Sequence, residues 1–157
     1  MKHLSFFAVA LTLIACATPN SGTSRTSSQP GHGAISLSVQ PNPIVAHKVA
    51  GTTYEFPFDV SVRETGGRAV TINSVSVEVY ALGGMHVGSD TYDAARIAAL
   101  GFPTSIPGNG ELRYHLAPRQ NVSDDRLFGG VYGEVRVSAA DETATPATAT
   151  TTVTVTR

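Results

Sequence analysis

Five histidines and twelve carboxylates are the groups in this chain that could hold a metal ion or move a proton. His47, His86 and His115 stand tens of residues apart, so none of them forms the short-range pair of a zinc-binding helix, and no His-Glu-x-x-His occurs. There is no Gly-x-Ser-x-Gly, no Walker-type loop and no Ser-x-x-Lys, since Lys48 is the only lysine after Lys2. With no nucleophile beside a base, no paired carboxylates and no cofactor motif, the sequence reads as that of a non-enzymatic protein without a cofactor. The three histidines are then surface or strand-face residues, and His32 in Gly31-His32-Gly33 is isolated in a polar segment. The carboxylates that remain are turn residues. Glu64, Asp141 and Glu142 form one set and Asp90, Asp93, Asp124 and Asp125 another, and both are candidate calcium ligands because calcium takes its oxygens from loops.

The one thiol is Cys16. It follows Met1-Lys2-His3, the apolar run Leu4 to Ile14, and Ala15, which is a charged n-region and a short h-region. That run is about half the roughly 20 residues that cross a bilayer, so it is a targeting segment rather than a span. Leu13-Ile14-Ala15-Cys16 resembles the lipobox of bacterial lipoproteins. The resemblance implies cleavage after residue 15, acylation of Cys16, and a membrane partner reached through that lipid. Ala17, in place of the aspartate that resembles an inner-membrane retention signal, favours the outer membrane. Asn121-Val122-Ser123 matches a glycosylation sequon, which in a bacterium is mostly incidental.

Without residues 1–15 the chain keeps ten basic and twelve acidic side chains. The arginines are dispersed, from Arg25 to Arg157, and no basic patch results. Such a surface has no electrostatic reason to seek nucleic acid or anionic lipid. With Cys16 carrying lipid, no disulfide is available, so the fold must rest on its core alone.

From Ala17 to Gly33 the chain is rich in Ser, Thr, Gly and Pro, and residues 16–33 are expected to be a flexible tether holding the domain roughly 20 to 25 Å from the lipid. After Gly33 the period becomes two. Ile35, Leu37 and Val39 alternate with polar residues up to Pro41-Asn42-Pro43, and Tyr54, Phe56, Phe58, Val60 and Val62 form the clearest half-buried strand. Pro57 lacks a donor and marks an edge or a bulge there. Val70 to Tyr80 is the next strand, and its apolar phase slips at Asn73-Ser74, which implies a bulge or a bend between sheets. Residues 91–100 break the rhythm as one short helix: Asp90 can cap it, Asp93 suits its first turn, Ala94, Ile97 and Ala98 share a face, and Gly101 stops it. Strands resume with Leu112, Tyr114 and Leu116, then Val131 to Val137, then Ala149 to Val155 with Thr148 to Thr156 facing outward. About seven such strands indicate an all-β, two-sheet antiparallel sandwich over residues 34–157.

The succession of Pro-Asn-Pro, Phe-rich strand, Glu-Thr-Gly-Gly turn, Ile-Pro-Gly-Asn-Gly turn and Val-rich penultimate strand is similar to bacterial extracellular immunoglobulin-like modules. No inter-sheet cysteine pair and no tryptophan is present, and Tyr132 has the opposite parity to Val135 and Val137, so the antibody hallmarks are absent. Immunoglobulin-like topology implies that Glu64 shares one end with Asp141 and Glu142, and that Asp90 and Asp93 share the other with Asp124 and Asp125. The strand Gly130 to Ala140 keeps the two groups roughly 30 Å apart. Solvated turn carboxylates are the simpler reading of both. The expected role is a lipid-anchored envelope module that binds an envelope protein or a glycan through an edge strand or end loops. The alternative, an inhibitor or accessory subunit of a secreted hydrolase, asks for a protruding rigid loop, for which Ala99 to Gly110 is the candidate.

Overall fold

The computed structural model describes residues 24–157. The leader, Cys16 and the first part of the expected tether lie outside them. The strands are β1 (Arg25–Ser27), β2 (Ile35–Gln40), β3 (Ile44–Val45), β4 (His47–Ala50), β5 (Thr53–Glu55), β6 (Phe58–Glu64), β7 (Val70–Ala81) and β8 (Met85–Asp93). Helix α1 (Ala94–Ala99) follows, and then β9 (Ser105–Ile106), β10 (Glu111–Leu116), β11 (Arg119–Asn121), β12 (Tyr132–Asp141) and β13 (Pro146–Thr156). One sheet runs β1-β13-β12-β7-β8, with β3 beside β13 and β9 beside β7. The facing sheet is β10-β6-β2, and β11-β5-β4 forms a small third sheet. The result is an antiparallel, immunoglobulin-like β-sandwich.

Alternation decides which side chains fill it. Ile35, Leu37 and Val39 of β2, Phe58, Val60 and Val62 of β6, and Tyr114 and Leu116 of β10 are buried from one sheet. Val75 and Val77 of β7, Val135 and Val137 of β12, and Ala149 and Val153 of β13 meet them from the other. The phase slip in β7 is a β-bulge. Ser138 pairs with Ser74 and the next residue, Ala139, with Ile72, so Asn73 is the extra residue and Ile72 as well as Val75 can face inward.

Four expectations change. The strand from Tyr54 to Val62 is two strands, because Pro57 interrupts the ladder and the chain passes from the small sheet to the facing sheet there. Phe56 is consequently only half-buried, whereas Phe58 is 2 % exposed. The helix is shorter than 91–100 and its cap is Asp93, which accepts from the Arg96 amide at 2.7 Å; Asp90 lies in β8, and Ala98 is exposed. Gly101, at φ +84°, ends the helix as read.

The third change concerns the segment before α1. Met85–Asp93 is a full edge strand that carries no apolar alternation, since Met85 and Val87 are exposed. The fourth concerns the tether. Among its described residues, Arg25–Ser27 pairs with Thr148–Thr150 on the free edge of β13, and residues 28–33 turn the chain into β2. Edge pairing needs only backbone groups, so three exposed polar residues supply it without an apolar signal.

Phe58→Ala is expected to destabilise the protein by about 3 to 5 kcal/mol, as truncation of a fully packed phenylalanine does. Phe56→Ala should cost clearly less. Denaturant melts of the two variants compare them directly, and equal losses would place Phe56 in the same packed layer as Phe58.

Candidate functional site

The sandwich has two ends of different chemistry. At the end where β6 turns toward β7 and β12 toward β13, Glu64 and Asp141 meet, as expected from the topology, but neither is a solvated turn carboxylate. Glu64 is fully buried. Its Oε1 accepts from the amides of Ala34 at 3.1 Å and Gly66 at 2.6 Å, and its Oε2 from those of Gly67 at 2.9 Å and Asn109 at 2.8 Å. Burial pushes the carboxyl up, but the four amides outweigh it and hold Glu64 below the ordinary carboxylate value.

Asp141 is built alike. Its Oδ1 accepts from the Thr143 hydroxyl at 2.7 Å and from the Thr143 and Thr145 amides, both at 2.9 Å. Its Oδ2 accepts from the Gly33 amide at 3.1 Å and lies 3.1 Å from His32 Nδ1. The Thr143 hydroxyl first, and then the amides, hold its carboxyl well below the usual range against the cost of burial. Gly33 is required here, since a Cβ would come within 2.5 Å of Val70 Cγ1 and 2.9 Å of Asp141 Cβ. Glu142 points into solvent. With their lone pairs facing amide donors, Glu64 and Asp141 are anchors for the backbone rather than oxygens waiting for calcium, which corrects the candidate ligand set at this end.

The second set is also dispersed among internal partners. Asp90 is held in a two-pronged pair by Arg96, at 2.6 and 3.2 Å, with the guanidinium 3.9 Å above the Tyr92 ring. Asp93 caps α1, and Asp124 caps the short turn Asp125–Phe128 by accepting from the Arg126 amide. Asp125 accepts from the Tyr54 hydroxyl and pairs with Arg157. Among the described residues no three His, Cys, Asp or Glu side chains gather as a metal site. His47 and His115 line one shallow hollow with Asp59, where His115 Nδ1 is 2.9 Å from the carboxylate, while His86 pairs with Glu78 at 2.6 Å on β7 and β8.

The opposite end holds an apolar cavity of about 240 Å³. It opens where Pro57 diverts the chain and the facing sheet stops covering β7, β12 and β13. Phe56, Phe58, Val77, Val79, Val153 and Val155 form its floor, and Val122, Leu127, Phe128 and Val131 come from the segment between β11 and β12. One wall is Val87 to Asp90 of β8, whose other side is a free edge of the large sheet. Ser89, Gln120, Asn121 and Ser123 supply polar groups at the same cavity. Sequence reasoning did not find this site, because its walls are ordinary core residues and a strand without alternation.

The fold places the chain among known structures only broadly. It is similar to an X-ray structure of a structural-genomics target, at 10 % identity and a TM-score of 0.52, covering 82 % of this chain and 90 % of that one. The putative ApaA protein from Bordetella pertussis follows, at 11 % identity and a TM-score of 0.48, over 80 % of this chain and 94 % of that one. The C-terminal domain of Wzt gives 13 % and 0.48, over 85 % of this chain and 78 % of that one. At such identities the first likeness is one of fold alone. No protein-family model matches the sequence, and a search of curated proteins returns no match.

The carboxylate anchors set an acid limit. Both carboxyls titrate lower in the folded protein than in the unfolded chain, so their contribution is fully present above the ordinary values of 4.5 and 3.8 and is lost as pH falls through the lowered folded ones. Glu64→Gln should therefore melt well below the wild type at pH 7, and the gap should narrow as the pH falls below 4.5, where the unfolded wild-type chain begins to take up the proton. A gap independent of pH, measured by thermal melts across that range, would mean that shape rather than charge holds the turn.

Proposed function

We propose that this protein is a lipid-anchored, non-catalytic binding module of the bacterial envelope, and that it binds an extended, apolar segment of an envelope protein along β8. The observation that carries this is a coincidence of two features in one strand. β8 is a free edge of the large sheet, and its residues Val87 to Asp90 are a wall of the apolar cavity. An added strand gains backbone hydrogen bonds along an edge and specificity from a pocket beside it, which needs no distinctive motif.

The lipid anchor rests on the lipobox at Leu13-Ile14-Ala15-Cys16. Among the described residues no helix is long and apolar enough to cross a membrane. Several acyl chains on Cys16 hold a protein far more firmly than the marginal single chain, at about 0.8 kcal/mol per buried methylene. An apolar protein segment fits the cavity better than a glycan does, since its floor is aliphatic and aromatic with polar groups in the minority. The reading as a hydrolase inhibitor loses its candidate loop. Within Ala99 to Gly110, β9 pairs with Val70 and Thr71, Ile106 is fully buried, and Phe102 packs edge-on against Tyr114 at 5.7 Å.

Two measurements test this. Cys16→Ser should move the protein from the detergent phase to the aqueous phase in a lipoprotein-processing host, and wild-type protein already in the aqueous phase would contradict the anchor. A photo-crosslinking side chain at Ser89 of the intact protein in cells should give one discrete envelope-protein adduct, and the same group at Arg113 on the facing sheet should give none. Adducts at neither position, or at both alike, would remove β8 as the binding edge.

A further inference from the structure

Among the described residues, exposed large apolar side chains are confined almost wholly to one end of the sandwich. Val45, Val49, Leu82, Met85, Val87 and Leu127 all belong to the end where β7 turns into β8 and β13 finishes, and Leu100 alone lies toward the other. Leu82 and Met85 are the most exposed, at 77 % and 63 %, and they flank the turn residues Gly83 and Gly84. The turn Leu82-Gly83-Gly84-Met85 carries no charge. It abuts the segment before β12, where a side chain on Gly130 would meet Leu82 Cδ1 at 3.1 Å. Near this end Glu78 pairs with His86 and Asp125 with Arg157. Isolated exposed apolar residues are ordinary, but a cluster of them at one end, around an uncharged turn, marks a contact surface.

The direction of the chain says what meets it. β1 runs antiparallel to β13, with Arg25 opposite Thr150 and Ser27 opposite Thr148, so the chain enters β1 from the side of this apolar end. Thr150 lies six strand residues before Thr156, about 20 Å at 3.3 Å per residue. The nine residues from Cys16 to Ser24 span at most about 30 Å when fully extended. An anchor at Cys16 therefore keeps the apolar end within reach of the bilayer that holds it.

From this we infer that the end carrying Leu82, Met85 and Leu127 docks into the lipid surface, as a second, apolar contact beside the covalent anchor. The inference rests on the anchoring proposed above. A formal charge of −2 for residues 16–157, ten basic against twelve acidic side chains, and an uncharged turn suit a neutral or zwitterionic lipid surface, entered by apolar side chains rather than attracted by charge. The strands then stand upright on the membrane, with the Glu64 and Asp141 end facing away from it.

The chain has no tryptophan, so single-tryptophan variants give an unmixed signal. Full-length, lipid-processed Leu82→Trp, Leu127→Trp and Leu100→Trp proteins are incorporated into phosphatidylcholine vesicles with and without brominated acyl chains. Leu82→Trp and Leu127→Trp should shift to the blue and lose most of their emission to the bromines, and Leu100→Trp, at the far end, should do neither. Sedimenting protein in which all three variants are quenched alike, or none is, overturns the docking and leaves the anchor standing. A blue shift at Leu82→Trp without quenching means that a second copy or another protein covers the tip, and overturns it as well. Protein left in the supernatant overturns the anchor, and with it the lipid role of this end.

Discussion

Two buried carboxylates tie together parts of this chain that are far apart in sequence. Glu64 gathers the amides of Ala34, Gly66, Gly67 and Asn109, and Asp141 gathers those of Gly33, Thr143 and Thr145. Consecutive residues Gly33 and Ala34 are thus held by different carboxylates, one from each sheet. A charge withdrawn from water with no cation beside it is costly, and several amide donors aimed at its oxygens are what make it tolerable. The arrangement fixes where β2 begins and hence the parity with which Ile35, Leu37 and Val39 enter the core. A one-residue slip there would turn that whole face outward. Close approach is part of the same constraint, because a Cβ on Gly66 would sit 2.3 Å from the His32 carbonyl. In a sandwich without a disulfide, this polar staple joins turns that a cysteine pair would otherwise have to join.

What was legible in the sequence was the half-buried pleat. Wherever one face of a strand is core and the other is solvent, as in β2, β6, β10 and β12, period two reveals the strand and its inward residues. The Asn73 bulge was legible for the same reason, since a bulge is a change of phase in an otherwise regular pattern. Edges were not. β1 and β8 have their ladder on one side only, and Met85, Val87 and the three residues of β1 do not alternate, so backbone pairing alone makes them strands. Pro57 was recognised as an interruption, but whether a strand bulges or changes sheets at a proline depends on where the partner strands lie.

The carboxylates were misread for a different physical reason. Charge and turn context suggest solvent, and the donors that bury Glu64 come from three separate segments, which no local pattern brings together. A weaker signal was present in each case. Glu-Thr-Gly-Gly puts two unencumbered amides just beyond a carboxylate, and Asp-Glu-Thr-Ala-Thr has the spacing of an Asx turn in which the side chain takes the amide two residues on. Those patterns announce side-chain-to-backbone bonding and so compete directly with the reading as calcium ligands.

The two ends divide the work of the fold. One is closed by polar groups that satisfy one another and, among the described residues, exposes little that is apolar. The other is where the facing sheet gives out at Pro57, a small third sheet takes over, and apolar side chains that would normally complete a core instead line a cavity and stand exposed around the turn after β7. Apolar surface left open in this way costs solubility unless something covers it, whereas the first end shows that this chain can seal a sandwich when sealing is what the end requires. The contrast is the strongest structural reason to look for binding at the second end. Because strands run from one end to the other, a partner strand added along β8 would lie parallel to the sandwich axis while the turn after β7 meets a surface perpendicular to it. The two contacts adjoin at Val87 and Leu127, which line the cavity and are also exposed at this end, so a strand along β8 and a surface at the turn would meet at those two side chains.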